Sequence, residues 1–434
     1  MKSVFRSKRI PAPGSNYSPG VNVNNLLFMS GLLATDYKTG IPPQAKTNPN
    51  FPWFGSNVKL QAEYVLNNLG LLMEDAGSSL EDILRMDVYM LDVNDYFEFS
   101  EVLHRYFPNG GPPQNIVGVK NKDTFWGQGL LGSVGDRFEV DAIAIAPKED
   151  FTKRAVPTPG LSTRPDRSPL AAAAGDYLFT SGLLATDYKT GIPVTAKADP
   201  NFPWMSSDVK LQTVYVLDQL KAILSSVGTS LDNVVKANVF LLDLKDYWAF
   251  KEVWDEYFPK NEPAKTVLKG SGLLGAKGDR VQVEAIAIIP GGKRNKRVIH
   301  SQKIPGPSEE CTLAVEAGGM LCTSGLMATD YKTGIPVGAK TDPNRPWIGS
   351  DIKYQVQYTL DNLKTLLEEA GCSMNDVAKI NVYLTDLRDF SGFTELLPRY
   401  FTGTDQPART AFEVEEILGP TGARFEVEAI AAID

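Results

Sequence analysis

Residues Ser30 to Pro42 read Ser-Gly-Leu-Leu-Ala-Thr-Asp-Tyr-Lys-Thr-Gly-Ile-Pro, and the same letters return at Ser181 to Pro193. With one change, Met327, they return again at Ser324 to Pro336. The copies start 151 and 143 residues apart, each about a third of a 434-residue chain. That period is too long for a solenoid unit and suits a small domain. The expected organisation is therefore three copies of one domain, over residues 1–148, 149–292 and 293–434. A prior of roughly one domain per 150 residues agrees.

Each copy opens with a Pro-rich arm (Pro11–Pro19, Pro157–Pro169, Pro305–Pro307), which reads as a linker. An apolar strand follows and runs into Ser-Gly; in the first copy it is Leu26-Leu27-Phe28-Met29. The Asp-Tyr-Lys-Thr-Gly-Ile-Pro segment reads as a turn. A loop with Pro-Asn-x-Pro-Trp comes next, carrying Trp53, Trp204 and Trp347. Leu69, Leu72, Met73 and Ala76 then recur at helical spacing up to Gly77. Ser79-Leu80-Glu81-Asp82 reads as a capped turn. A strand alternates Met86, Val88, Met90 against Arg85, Asp87, Tyr89. A second helix carries Phe99, Val102, Leu103 and Tyr106, with the same face at Phe250, Val253, Trp254, Tyr257 and at Phe393, Leu396, Leu397, Tyr400. Two strands finish each copy.

The order β-β-α-β-α-β-β gives an α+β fold: a mixed sheet with two helices on one face. The other sheet face is expected to be apolar. Three such faces can bury one another around a pseudo-threefold axis, so the chain is expected to be an intramolecular pseudo-trimer and a monomer in solution.

Composition bounds the partners. Net charge is −8 and the pI about 5.1, which supplies no basic field for a polyanion. Nucleic acid is not expected as a partner. Three cysteines, all in the third copy, argue for a reducing compartment. No apolar run follows the basic N-terminus or spans a membrane length, so a cytoplasmic location is expected. Two histidines without paired metal-ligand spacing make a zinc site improbable.

Several features together resemble the RidA/YjgF family. They are Ser-Gly after a strand, a Gln early in the first helix, Ala-Gly before Ser-x-x-Asp, Pro-Ala-Arg-Thr, and a closing Phe-Glu-Val-Glu-Ala-Ile-Ala. The resemblance implies a chorismate-mutase-like fold, usually a homotrimer with clefts between subunits. It also implies cofactor-free and metal-free hydrolysis of reactive enamines and imines to ketones and ammonia.

Carried over residue by residue, the family's carboxylate-binding Arg falls on Arg409, with Lys265 and Gln114 in the other copies. The water-positioning Glu falls on Glu426 and Glu139, with Gln282 in the second copy. The arm Tyr falls on Tyr17; the third-copy arm offers Glu310-Cys311 there. Ser30-Gly31 and Ser324-Gly325 are candidate substrate-binding positions, through backbone N–H groups that Gly leaves open to close approach. A guanidinium grips a carboxylate bidentately, and a carboxylate near an imine carbon can orient or deprotonate water.

Arg409 and Glu426 are expected to form the complete pair, built on repeat three and completed by Tyr17 across the boundary with repeat one. Gln114, Lys265, Glu139 and Gln282 are read as degenerate counterparts. The closing Glu-x-Glu/Asp pair is expected to turn its acids to opposite faces, leaving one functional acid per copy. The Trp residues are read as anchors of the inserted loop. The implied activity is deamination of a small carboxylated enamine or imine, with a ring-cleavage product as one candidate. The competing readings are a non-catalytic small-acid binder or scaffold and a hydrolase of an amide-like C–N bond.

Overall fold

The computed structural model describes residues 2–120, 130–291, 295–308 and 311–433. Each copy builds one mixed sheet under two parallel helices. These are α1 (Asn57–Asp75) and α2 (Tyr96–Tyr106), α3 (Asp208–Ser226) and α4 (Tyr247–Tyr257), and α5 (Asp351–Ala370) and α6 (Phe390–Tyr400). Ser56 caps α1 by accepting from the Lys59 N–H, and Gly77 follows its end at φ +74°. The face of α1 bearing Val65, Leu66, Leu69, Leu72 and Met73 is buried against Met86, Val88 and Met90 of the strand Ile83–Met90. Alternation does the sorting: residues of one parity meet the helices and those of the other turn inward.

In the first sheet Phe138–Ile145 lies between Leu26–Met29 and Ile83–Met90, and Gln114–Gly118 runs parallel to Ile83–Met90. The Pro-rich arms are preceded by edge strands that the sequence reading does not include: Lys2–Phe5, Lys153–Ala155 and Arg297–Ile299. Gly272–Leu273 of the second copy pairs with Val117–Gly118 of the first, so the ladder crosses a copy boundary. No helix among the described residues is long and apolar enough to cross a membrane.

The inward faces pack on one another, but they are not simply apolar. Apolar layers around Phe28, Ile143, Phe179 and Ile286 and around Tyr89, Phe240, Tyr383 and Phe412 bracket a belt of buried charge. The belt closes as a ring in one direction. Arg85 of the first copy meets Glu284 of the second at 3.3 Å, and Lys236 of the second meets Glu428 of the third at 2.7 Å. Lys379 of the third meets Asp141 of the first at 2.8 Å. A buried ion pair tolerates little displacement, because removing one partner strands the other. The ring therefore ties the copies in a fixed cyclic order.

Candidate active site

The cyclic order brings the end of each copy against the arm of the next. The Ser-Gly pair is the clasp. Ser30 Oγ accepts from the Arg409 N–H at 2.8 Å and donates to the Ser18 carbonyl of its own arm at 2.6 Å. Ser324 does the same with Lys265 and the Thr312 carbonyl, at 3.0 and 2.7 Å. The Gly31 N–H donates to the Arg409 carbonyl at 3.1 Å, and the Gly182 and Gly325 N–H groups donate to the Gln114 and Lys265 carbonyls at 3.1 and 3.2 Å. These N–H groups are thus spent on the interface and are not free donors for a substrate, contrary to the expectation for Ser30-Gly31 and Ser324-Gly325. Gly is required for another reason. A Cβ at Gly31 would stand 1.6 Å from Glu139 Oε1, and one at Gly325 would stand 1.9 Å from Glu426 Oε1. The missing side chain is the space into which the acid folds.

Between the third and first copies lies a cavity of about 580 Å³, lined by Arg409, Phe390 and Thr394 on one side and Tyr17, Tyr37, Gly31 and Glu139 on the other. The Arg409 guanidinium sits 4.7 Å from the Tyr17 ring and 4.9 Å from the Phe390 ring. Its Nη2 donates to Ser15 Oγ at 2.7 Å, while Nη1 has no partner among the described residues. Burial lowers its pKa from the ordinary range. Glu139 is buried, and its Oε2 has no partner among the described residues. Burial, and next the charge of Asp141, push its carboxyl up to about 8, although Lys379 and Arg409 pull the other way.

This corrects the expected pairing. Glu426 does not share a cleft with Arg409; it lies with Lys265, Ser324 and Gly325 between the second and third copies. Glu139, read as a degenerate counterpart, is the acid that shares a cavity with Arg409. The two positions of each closing pair (Glu139 and Asp141, Gln282 and Glu284, Glu426 and Glu428) also lie on the same inward side, since residues i and i+2 of a strand point alike. Asp141 is drawn to the axial ring by Lys379, which leaves Glu139 to the cleft.

The other two clefts carry carboxylates of their own at the Arg position. In the cleft between the first and second copies, Asp166 of the second arm sits against Gln114 Nε2 at 3.4 Å and pairs with Arg164 at 3.3 Å. Tyr96 donates to Gln114 Oε1 at 2.9 Å and also contacts Asp166. Gln282, at the acid position, donates to Asn115. In the cleft between the second and third copies, Glu262 pairs with Lys265 at 2.9 Å. Sequence reading missed Asp166, Arg164 and Glu262, and also Ser15, Tyr37 and Phe390. Tyr37 alone had a signal, its place in the triplicated segment.

Trp53, Trp204 and Trp347 are 71%, 77% and 77% exposed, so they do not anchor the inserted loop. Glu310 lies outside the described residues. Among the described residues no group of three or more His, Cys, Asp or Glu is placed to hold a metal ion.

The profile of the Endoribonuclease L-PSP family matches residues 7–124, 167–289 and 302–433. A RutC family protein of Pyrococcus abyssi is 38% identical over 136 residues, covering 31% of this chain and 96% of the relative. TdcF of Escherichia coli, provisionally named a reactive intermediate deaminase, is 31% identical over 138 residues, covering 31% of this chain and 96% of TdcF. Among solved structures, RidA from an Antarctic Psychrobacter is 31% identical, covers 32% of this chain and 99% of its own, and has a TM-score of 0.26. The chain belongs to the Endoribonuclease L-PSP family and carries that family's domain, the RidA-like domain, three times in tandem.

Proposed function

We propose that the protein is a cofactor-free hydrolytic deaminase of a small carboxylated enamine or imine, working at the cleft between the third and first copies. The kinship with TdcF supports the reaction class. One observation carries the choice of cleft: of the three Arg-position side chains, Arg409 alone carries no hydrogen bond or ion pair to a carboxylate among the described residues, and its Nη1 finds no partner among them inside a cavity. A buried guanidinium nitrogen left without an acceptor is costly unless a ligand supplies one.

The substrate carboxylate takes Arg409, which is held flat by Tyr17 and Phe390. The substrate's C=N group then lies toward Glu139. With its pKa near 8, Glu139 is largely protonated at neutral pH and can give its proton to the imine nitrogen. The resulting carboxylate takes a proton from water as the water oxygen bonds to carbon. The same carboxyl then protonates the amine, C–N breaks, and the hydroxyl proton returns to Glu139, leaving ketone and ammonia. One acid thus serves both steps. All three boundaries close within one chain under this reading, so the working species is a monomer; the three free cysteines support a reducing, cytoplasmic setting. Sedimentation showing only trimers of chains would contradict that.

The test is ammonia release from freshly generated 2-iminopropanoate. Wild-type protein should turn it over, Arg409→Ala should not, and Lys265→Ala should resemble wild type. Equal damage from Lys265→Ala and Arg409→Ala would end the single-cleft reading.

A further inference from the structure

The cleft between the second and third copies keeps its space but not its charge. Its cavity is about 660 Å³. Lys265 holds the place of Arg409, yet its ammonium is already paired with Glu262 and lies 4.7 Å from the Trp254 ring. Trp254 Nε1 also donates to Glu262 at 2.9 Å, so the acid is held from two sides. Lys251, which lines the same cavity from α4, is paired with Asp255 at 2.5 Å. Among the described residues, the buried group left without a partner here is Glu426, whose Oε2 accepts no hydrogen bond from any of them.

The wall differs too. Tyr247 and Trp248 stand where the Arg409 cleft has Phe390 and Ser391. The Trp248 side chain is 70% exposed and meets Tyr247 edge-on at 5.4 Å. Tyr331 lines the opposite side. An unpartnered carboxyl in a cavity walled by electron-rich rings is suited to a cation, since ring faces attract positive charge.

We infer that this cleft is a second ligand site that takes a small primary ammonium, with the charged head on Glu426 and the carbon chain against Trp248 and Tyr331. The site needs no turnover at Arg409. Its pH response follows from the groups around it. Burial, and next the charge of Glu428, push Glu426 up to about 8, while Lys236 behind it favours the ionised form. Burial raises Tyr331 and Cys311 above their ordinary values and lifts Tyr247 to about 12, so these stay neutral while Glu426 titrates. Burial lowers Lys265, and Glu262 opposes that fall. Lys332 is exposed at the rim. An ammonium favours ionised Glu426, so it displaces a proton and binds more tightly as pH rises through about 8.

The test is calorimetric titration of the full chain with ethylammonium chloride and, separately, sodium propanoate. Ethylammonium should bind one site, about tenfold more tightly at about pH 9 than at about pH 7. Glu426→Gln should abolish that binding and Arg409→Ala should leave it intact. Glu262→Gln should unmask Lys265, weaken ethylammonium binding and create a second propanoate site beside the one at Arg409. Loss of propanoate binding in Arg409→Ala reports on the deaminase cleft separately. Absence of saturable ethylammonium binding at the higher pH overturns the inference. So does binding that survives Glu426→Gln, or a Glu262→Gln protein that gains no propanoate site.

Discussion

The cleft holding Arg409 and the cleft holding Gln114 are built on the same clasp, yet one is a cavity and the other is filled. In both, a Gly N–H of one copy bonds the carbonyl at the Arg position of the copy before it. In the first, the guanidinium is flanked by Tyr17 and Phe390 and keeps one nitrogen unpaired among the described residues. In the second, Arg164 and Asp166 enter from the arm and pair beside Gln114. The sealed cleft has taken both halves of a guanidinium–carboxylate contact into the protein. The open cleft supplies only one half, and so has an affinity to offer. Triplication lets one chain hold both, because each boundary can change without altering the other two.

The sealed cleft should show the largest effect. Asp166→Ala would leave Arg164 buried without its partner, and stranding a buried charge costs about 3–5 kcal/mol. Chemical denaturation should report a loss of that order. A loss under about 1 kcal/mol would mean that Arg164 escapes to solvent and that the seal is weak. Burial works against the Asp166 carboxylate, but Arg164 and the Ser168 hydroxyl outweigh it and hold the pKa at about 2. Its stabilisation is therefore present above the unfolded value near about 4 and is lost as pH falls toward 2. Acid unfolding of Asp166→Asn should lack that component.

At the open cleft, Arg409→Ala removes a charge-assisted contact to substrate worth about 2–5 kcal/mol, with kcat/KM for a carboxylated imine as the readout. Glu139→Gln should lower kcat by about 10²–10⁴, the usual span for a lost general acid–base group. Glu426→Gln, in a different cleft, should leave most of kcat. The reverse result would restore the pairing within the third copy. The wild-type rate should fall as pH rises through about 8, because Glu139 must carry a proton to start the reaction.

The smallest effect belongs to the indoles. Trp53→Ser, Trp204→Ser and Trp347→Ser should each shift stability by less than about 0.5 kcal/mol, since exposed side chains leave no core behind. A drop of about 2 kcal/mol would revive the anchor reading.

Sequence alone determined a great deal. The triplicated Ser-Gly segment set the number of domains. The helical spacing of Leu69, Leu72 and Met73 and of Phe99, Val102 and Leu103 identified the helix faces that pack on each sheet. The order of motifs identified the family, and Arg409 and Tyr17 were legible as neighbours across a copy boundary. These are local properties, written in period and composition. Which acid meets Arg409 is not local. A ring of three copies can close in either sense, and no pattern within a copy states whether an Arg position looks forward to the next copy's Glu or stays beside its own. The tertiary structure decides this through the ring Arg85–Glu284, Lys236–Glu428 and Lys379–Asp141, which sets the third copy's Arg409 against the first copy's Glu139. The same contacts across boundaries decide that Asp166 fills one cleft and leave Glu426 unpartnered in another. Burial pairs groups by position in space, and positions in space were shared between copies.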